Sequence, residues 1–186
     1  MHKFTMAGLA AGLIASPAAA QSANDFSGFR LEALGGLDEF EDDEGAVYGA
    51  AAGYDIRSRN WVFGATGEIT DSSTEECATS VVAAGDEVCA QVGREFYIGG
   101  RVGHVIADNL LLYGGLGYTN TRLRVVTIDP TGAETSIASN FDGVRATLGL
   151  ELGISDNAFA RVELRGTALE EDFERGQLIG GLGIRF

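Results

Sequence analysis

The chain has 186 residues, with 27 acidic side chains against 13 basic ones and a formal net charge of −14. A protein this negative repels the phosphates of DNA and RNA, so we expect no nucleic-acid partner. The length allows one domain of ordinary size but is short for two.

The first twenty residues have the features of a secretory signal peptide. Lys3 precedes an apolar stretch, and Ala18 and Ala20 form an A-x-A cleavage site ahead of Gln21. The apolar stretch is shorter than the roughly 20 residues that a membrane-spanning helix needs. We therefore predict a cleaved signal peptide over residues 1–20 and one mature domain over residues 21–186. A short N-terminal helix is the alternative interpretation.

Beyond the signal peptide, apolar side chains recur at every second position, which indicates β-strands and not helices. Glycine is abundant, with 27 residues, and proline is scarce, with 2. The alternation predicts eight strands, over residues 28–36, 46–55, 61–70, 94–105, 110–126, 141–154, 158–169 and 176–186.

Tight connections alternate with longer ones between these strands. The tight connections are residues 57–60, 107–109 and 155–157, and the longer ones are residues 37–45, 71–93, 127–140 and 170–175. In an up-and-down meander, this order places every tight turn at one end, an asymmetry typical of bacterial outer-membrane barrels. The sequence therefore predicts an all-β fold, an eight-stranded antiparallel up-and-down transmembrane β-barrel.

Each strand has one apolar face and one face with charges and glycines. In the seventh strand, Val162 and Leu164 alternate with Arg161, Glu163 and Arg165. A soluble ligand-binding barrel would bury the apolar face, whereas a membrane barrel turns it towards lipid. The glycines favour the membrane barrel, because a narrow lumen needs small residues beside large charged ones. Those on the charged face are Gly99, Gly103, Gly149, Gly153, Gly181 and Gly183.

The lumen is therefore predicted to contain a network of buried ion pairs. Every basic residue after Lys3 is an arginine, whose planar guanidinium suits paired burial. The excess negative charge is expected in the loops. The predicted network consists of Arg30, Glu32, Glu68, Glu95, Arg101, Arg145, Glu151, Arg161, Glu163, Arg165 and Arg185.

Cys77 and Cys89 are the two cysteines of the chain. In an exported protein such a pair indicates a disulfide, here one that closes a loop. A metal site is the weaker interpretation, because no histidine or second cysteine pair lies nearby in the sequence.

Three further features of the sequence bear on possible chemistry. The acidic run 38–44 could bind divalent cations through its carboxylates, although a solvated acidic loop is the simpler interpretation. The glycine runs 114–117 and 180–183 lack the spacing of phosphate-binding loops. His104 has no evident serine partner for a catalytic triad. We therefore predict no enzymatic activity and no cofactor.

Aromatic residues favour two interfacial belts, with ordinary β-propensity as the alternative. One belt would lie near the tight turns and the other near the longer loops. The candidates are Tyr54, Trp61 and Phe186 for the first, and Tyr48, Phe96 and Tyr118 for the second.

Three segments resemble a known family: AAAQ at the predicted cleavage site, FYIGGRVGHVIADNLLLYGGLGYTNTR from residue 96, and the ending LIGGLGIRF. They are similar to the small eight-stranded outer-membrane β-barrels of Gram-negative bacteria, the opacity-protein and surface-antigen group of the porin-like superfamily. The resemblance implies a place in the cell outer membrane, with outer-membrane lipids as partners. It also implies that Leu182, Ile184 and Phe186 form the signal that the barrel-assembly machinery recognises.

These observations favour a structural or surface-interaction role. A narrow, gated, porin-like channel is the alternative, because the charged lumen could rearrange. A soluble exported ligand-binding barrel is a weaker third interpretation.

Overall fold

The structure is a computed structural model that describes residues 26–40, 43–73, 75–79, 87–129, 131, 133–169 and 174–186. The predicted signal peptide lies outside the described residues. Nine strands are present in the described part of the chain: β1 (Gly28–Phe40), β2 (Asp43–Ser58), β3 (Trp61–Ser72), β4 (Glu75–Thr79), β5 (Glu87–Ala107), β6 (Leu110–Ile128), β7 (Glu134–Gly153), β8 (Ala158–Leu169) and β9 (Glu174–Arg185).

Eight of these strands close into a ring. Each pairs antiparallel with its neighbours in the order β3-β2-β1-β9-β8-β7-β6-β5, and β3 pairs with β5 to complete the ring. The first and last strands are therefore neighbours, and the ring has no free edge. β4 pairs with β5 outside the ring. The predicted eight-stranded antiparallel barrel is confirmed.

Short turns and the C-terminus lie at one end of the barrel, which we call the tight-turn end. Arg59 and Asn60 join β2 to β3, and Asp108 and Asn109 join β5 to β6. Arg59 takes the left-handed conformation, with φ of 56°, as such a turn requires. The N–H of Phe186 donates to the carbonyl of Phe29 at 2.8 Å. The opposite end is the loop end.

The strands extend further at the loop end than the sequence predicted. The pairing of β3 with β5 stops at Thr70 and Glu95, and that of β7 with β8 stops at Gly143 and Leu169. Beyond these points an open sheet continues, formed by β4 and by residues 87–94, 120–128 and 134–142. We call it the loop-end sheet.

The prediction of long loops over 71–93 and 127–140 is therefore wrong for much of those segments. Residues 133–140 are exposed on both faces of the strand. A strand without a buried face shows no apolar alternation, so the period-2 pattern could not mark it.

Within the ring, the apolar faces point outwards. Val162 and Leu164 are 48% and 58% exposed, whereas the intervening Glu163 is 3% exposed. The structure thus places the arginines and glutamates in the lumen and the leucines on the outward surface of the ring, which we call the outer wall.

Apolar side chains close the lumen at both ends, a feature that the sequence did not predict. Near the tight-turn end, a buried cluster contains Phe26, Val62, Val105, Leu111 and Tyr113. Near the loop end, Val92 and Leu169 pack with the partly buried Leu123 and Phe141. Val92 faces inwards because a register shift between Val92 and Glu95 reverses the alternation of β5.

Glycines on the lumen face make room for aromatic rings. A Cβ atom on Gly149 would overlap the ring of Tyr113, and one on Gly183 would overlap the ring of Phe159. On the outer wall, a Cβ atom on Gly166 would meet no atom within 4 Å. Close approach thus explains the lumen glycines.

We predict that Gly149→Val prevents most of the protein from folding, because the added methyl groups meet the Tyr113 ring. Gly166→Val is the matched control, since it adds the same groups to open space on the outer wall. The folded fraction is measured in SDS gels as the band whose mobility changes on boiling. Equal folded fractions for the two variants would contradict this account.

Candidate functional site: the lumen network and the loop-end sheet

Asp55 is the centre of the network near the tight-turn end. It accepts from Nε of Arg30 at 3.0 Å, from two nitrogens of Arg101 at 2.9 and 2.6 Å, and from Arg185 at 3.0 Å. Glu151 pairs with the same Arg101 and Arg185, at 2.8 and 2.9 Å. Two carboxylates therefore face three guanidinium groups here, and Arg30 has a further carboxylate partner towards the loop end.

That partner is Glu32, which links Arg30 to Arg161. Arg161 lies 2.6 Å from Glu32, 2.9 Å from Glu163 and 3.1 Å from Glu68. One guanidinium thus joins carboxylates from β1, β3 and β8 across the width of the lumen.

The network continues towards the loop end through two more arginines. Arg165 pairs with Glu68 at 2.9 Å and with Glu163 at 2.5 Å. Arg145 lies 3.3 Å from Glu68 and also pairs with Glu95. Glu68 therefore contacts three arginines, two on β8 and one on β7.

The last link lies beneath the loop-end sheet. Arg175 pairs with Glu95 at 2.8 Å and with Asp38 at 2.5 Å. Asp38 also accepts from the hydroxyl of Ser72 at 2.5 Å. The ion pairs therefore form one connected series along the lumen.

Aromatic side chains line the same network. The guanidinium of Arg101 lies 4.9 Å from the centre of the Tyr113 ring, and that of Arg145 lies 4.8 Å from the Tyr97 ring. The Tyr113 hydroxyl also donates to Glu163 at 2.8 Å. Contacts of this kind stabilise a desolvated cation on its unpaired faces.

All eleven residues of the predicted network lie in the lumen and form ion pairs. Three further members, Asp38, Asp55 and Arg175, were missed by the sequence analysis. With them the network contains seven arginines and seven carboxylates, so its formal charge is zero.

The prediction that Asp38 belongs to a solvated acidic loop is wrong. β1 continues to Phe40, so Asp38 still faces the lumen, where it is 1% exposed. Its neighbours in the acidic run fall at 39–44, and their side chains lie outside the described residues. In the described part of the chain, no three His, Cys, Asp or Glu side chains lie close enough together to bind a metal ion.

Two small cavities lie beside the network. One lies between Thr66, Tyr97 and Tyr113, and another lies between Phe26 and Arg185; each has a volume of about 10 Å³. Such a volume admits about one water molecule. The described lumen is thus filled mostly by its own side chains.

The two cysteines form a disulfide in the loop-end sheet. Cys77 of β4 lies opposite Cys89 of β5, and their sulfur atoms are bonded. The bond fixes β4 to the part of β5 that extends beyond the ring.

The residues of the predicted assembly signal share the outer wall at the end of β9. Leu182, Ile184 and Phe186 are 66%, 48% and 69% exposed. The ring of Phe186 lies 6.3 Å from that of Phe29 on the first strand. His104 lies on the same wall, edge-on to Trp61 with ring centres 5.0 Å apart. Among the described residues, no helix has the length and apolar character needed to cross a membrane.

The sequence profile of the outer membrane protein beta-barrel domain matches residues 8–186. The chain belongs to this family. Membership places the protein in the outer membrane and confirms the resemblance to small outer-membrane barrels. Among curated protein sequences, none matches this chain.

Three solved structures share the fold of this outer-membrane barrel. Ail, the attachment invasion locus protein of Yersinia pestis, was solved with the heparin analogue sucrose octasulfate; it is 15% identical, with a TM-score of 0.56 over 86% of this chain and 97% of Ail. The N-terminal barrel domain of Pseudomonas aeruginosa OprF is 16% identical, with a TM-score of 0.55 over 86% and 98% of the two chains. Neisserial surface protein A is 13% identical, with a TM-score of 0.55 over 85% and 96%.

We predict that Asp55→Asn destabilises the folded barrel by about 3–5 kcal/mol, because three buried guanidinium groups lose their shared negative charge. Glu134→Gln is the control, since it makes the same chemical change at an exposed position of β7. Urea unfolding of the refolded protein in detergent micelles measures both. If Asp55→Asn lowered the free energy of unfolding by no more than Glu134→Gln does, the assigned role of Asp55 would be contradicted.

Proposed function

We propose that the protein is a closed outer-membrane barrel that anchors the loop-end sheet and presents it for interaction with other molecules. The observation that carries this proposal is the contrast between the lumen of the barrel and the loop-end sheet. The lumen is filled by a neutral network of ion pairs, whereas the sheet above it is open and is exposed on both faces over residues 133–140.

The loop-end sheet supports an interaction role through its edges. In the described part of the chain, β7 pairs with β6 beyond Gly143 but has no partner on its other side, and β4 pairs only with β5. Unpaired edges offer backbone N–H and C=O groups to an added strand. The exposed cross-strand pair Val125 and Ile137 adds an apolar patch, 43% and 69% exposed.

The charge outside the network also supports a surface role. The chain has 27 acidic and 13 basic side chains, so 20 acidic and six basic side chains remain outside the balanced network. Described examples at the loop end are Asp71, Asp129, Glu134 and Asp142, all exposed. Hydrogen bonds from Tyr118 and Asn120 lower the pKa of the Asp142 carboxyl, which keeps it ionised.

An acidic loop end argues against extending the sulfated ligand of Ail to this loop surface, because like charges repel. We propose instead that the carboxylates of the acidic run 38–44, apart from Asp38, take divalent cations that bridge them to lipid phosphates. The proposed role is non-enzymatic and needs no cofactor.

We also propose how the protein reaches the outer membrane, in two steps. Residues 1–20 are cleaved after Ala20 during export. Leu182, Ile184 and Phe186 are then recognised by the barrel-assembly machinery, a proposal supported by their shared exposure on the outer wall.

Conductance in planar bilayers separates the closed anchor from a gated channel. We expect no discrete current steps, because the buried side chains of the ion-pair network occupy the described lumen, and two cavities beside it have volumes of only about 10 Å³ each. Insertion is verified by the gel mobility of protein recovered from the same membranes. Reproducible steps from protein that passes this check would contradict the closed anchor and support the channel.

A further inference from the structure

Three arginines at the loop end differ from every arginine in the lumen. Arg94, Arg122 and Arg124 are exposed, and none of them forms an ion pair with a described side chain. They lie close together, because the bulge of β5 at Gly93 and Arg94 faces Arg122 of β6, and Arg124 shares the Arg122 face. We call them the rim arginines.

The rim arginines lie at the edge of the apolar band of the outer wall. The guanidinium of Arg94 is 4.9 Å from the centre of the Phe96 ring, which is 46% exposed. From Phe96 to Val105, β5 runs for ten residues, and a tilted membrane strand needs about 9–11. Arg94 therefore lies at the level of the lipid headgroups.

Directly below Phe96, the outer wall has a groove of about 590 Å³. Leu31, Ile69, Ile98 and Tyr118 line it together with Phe96, and small residues of β2 and β3 form its floor. The volume lies within the range of small-molecule sites, which is about 300–1,000 Å³. Since the groove lies in the lipid-facing wall, its natural occupant is an acyl chain.

We propose that the rim arginines and this groove together form a binding site for a phosphorylated, acylated membrane lipid. The arginines bind the phosphate, and the groove takes an acyl chain of the same molecule. Charge complementarity selects this occupant, because the rim arginines lie at headgroup level without an ion-pair partner among the described side chains, while the surrounding loop end is acidic.

A soluble sulfated sugar is a poorer fit to the same arginines. Such a polyanion would approach from the water above the loop end, where it meets the exposed carboxylates of Asp129 and Glu134. A lipid phosphate reaches the arginines from the side, within the plane of the membrane, and its acyl chain lies in apolar surroundings.

The test is native mass spectrometry of the detergent-purified, folded protein titrated with diphosphoryl lipid A. We expect one molecule to bind with preference. The variant Arg94→Gln/Arg122→Gln should lower the affinity about tenfold or more, the effect of losing charge-assisted hydrogen bonds. Arg57→Gln/Arg59→Gln removes the same charge at the tight-turn end and should leave the affinity unchanged.

A second pair of variants tests the groove. Gly67→Leu fills its floor and should weaken lipid binding, while Gly166→Leu adds the same side chain elsewhere on the outer wall and should not. Equal affinity of the two arginine double variants would overturn the site. Binding of sucrose octasulfate but not of lipid A would also overturn it, in favour of a sulfated sugar. Neither result would affect the closed anchor, which the conductance measurement tests separately.

Discussion

The structure depends on the pairing of charges inside a lumen from which most water is excluded. An unpaired ion in such a place costs several kcal/mol, so every guanidinium needs a carboxylate and each carboxylate a guanidinium. The observed balance of seven and seven meets this requirement, and shared partners such as Asp55 and Glu68 connect the pairs. The apolar clusters at both ends keep water away and strengthen the pairing.

Two other features of the chain follow from this arrangement. Long arginine side chains and two tyrosine rings must fit inside a ring of eight strands, so the opposite positions are glycines, as at Gly149 beside Tyr113. A neutral lumen also leaves the whole net charge of −14 to the rest of the chain. The rim arginines interrupt that acidic surface at the edge of the apolar outer wall.

The barrel itself could be predicted because its strands have one apolar and one charged face. β8 was predicted with the bounds found in the structure, since its alternation is regular from Ala158 to Leu169. The disulfide of Cys77 and Cys89 was predicted because the chain was expected to be exported and has two cysteines, and it is present. Asp55 shares a face with Gly53 on β2, so strict alternation could have assigned it to the lumen as well.

The other features of the structure could not be predicted from the sequence, because they depend on contacts between distant residues. The outer part of β7 and the described side chains of β4 have no buried face, so their sequences look like loops. Arg175 and Asp38 stand in acidic segments that resemble solvated loops, and only the length of β1 and β9 brings them into the lumen. The inward turn of Val92 needs a bulge that no local pattern marks.

The most direct test of the account is the exchange of arginine guanidinium protons with water, followed by ¹⁵N NMR of the folded protein. After Lys3, the chain has twelve basic residues, all arginines, of which seven lie in the lumen network. The account predicts seven slowly exchanging side chains and rapid exchange for Arg57, Arg59 and the rim arginines. Rapid exchange for most of the twelve would show a hydrated lumen and contradict the sealed, charge-paired barrel.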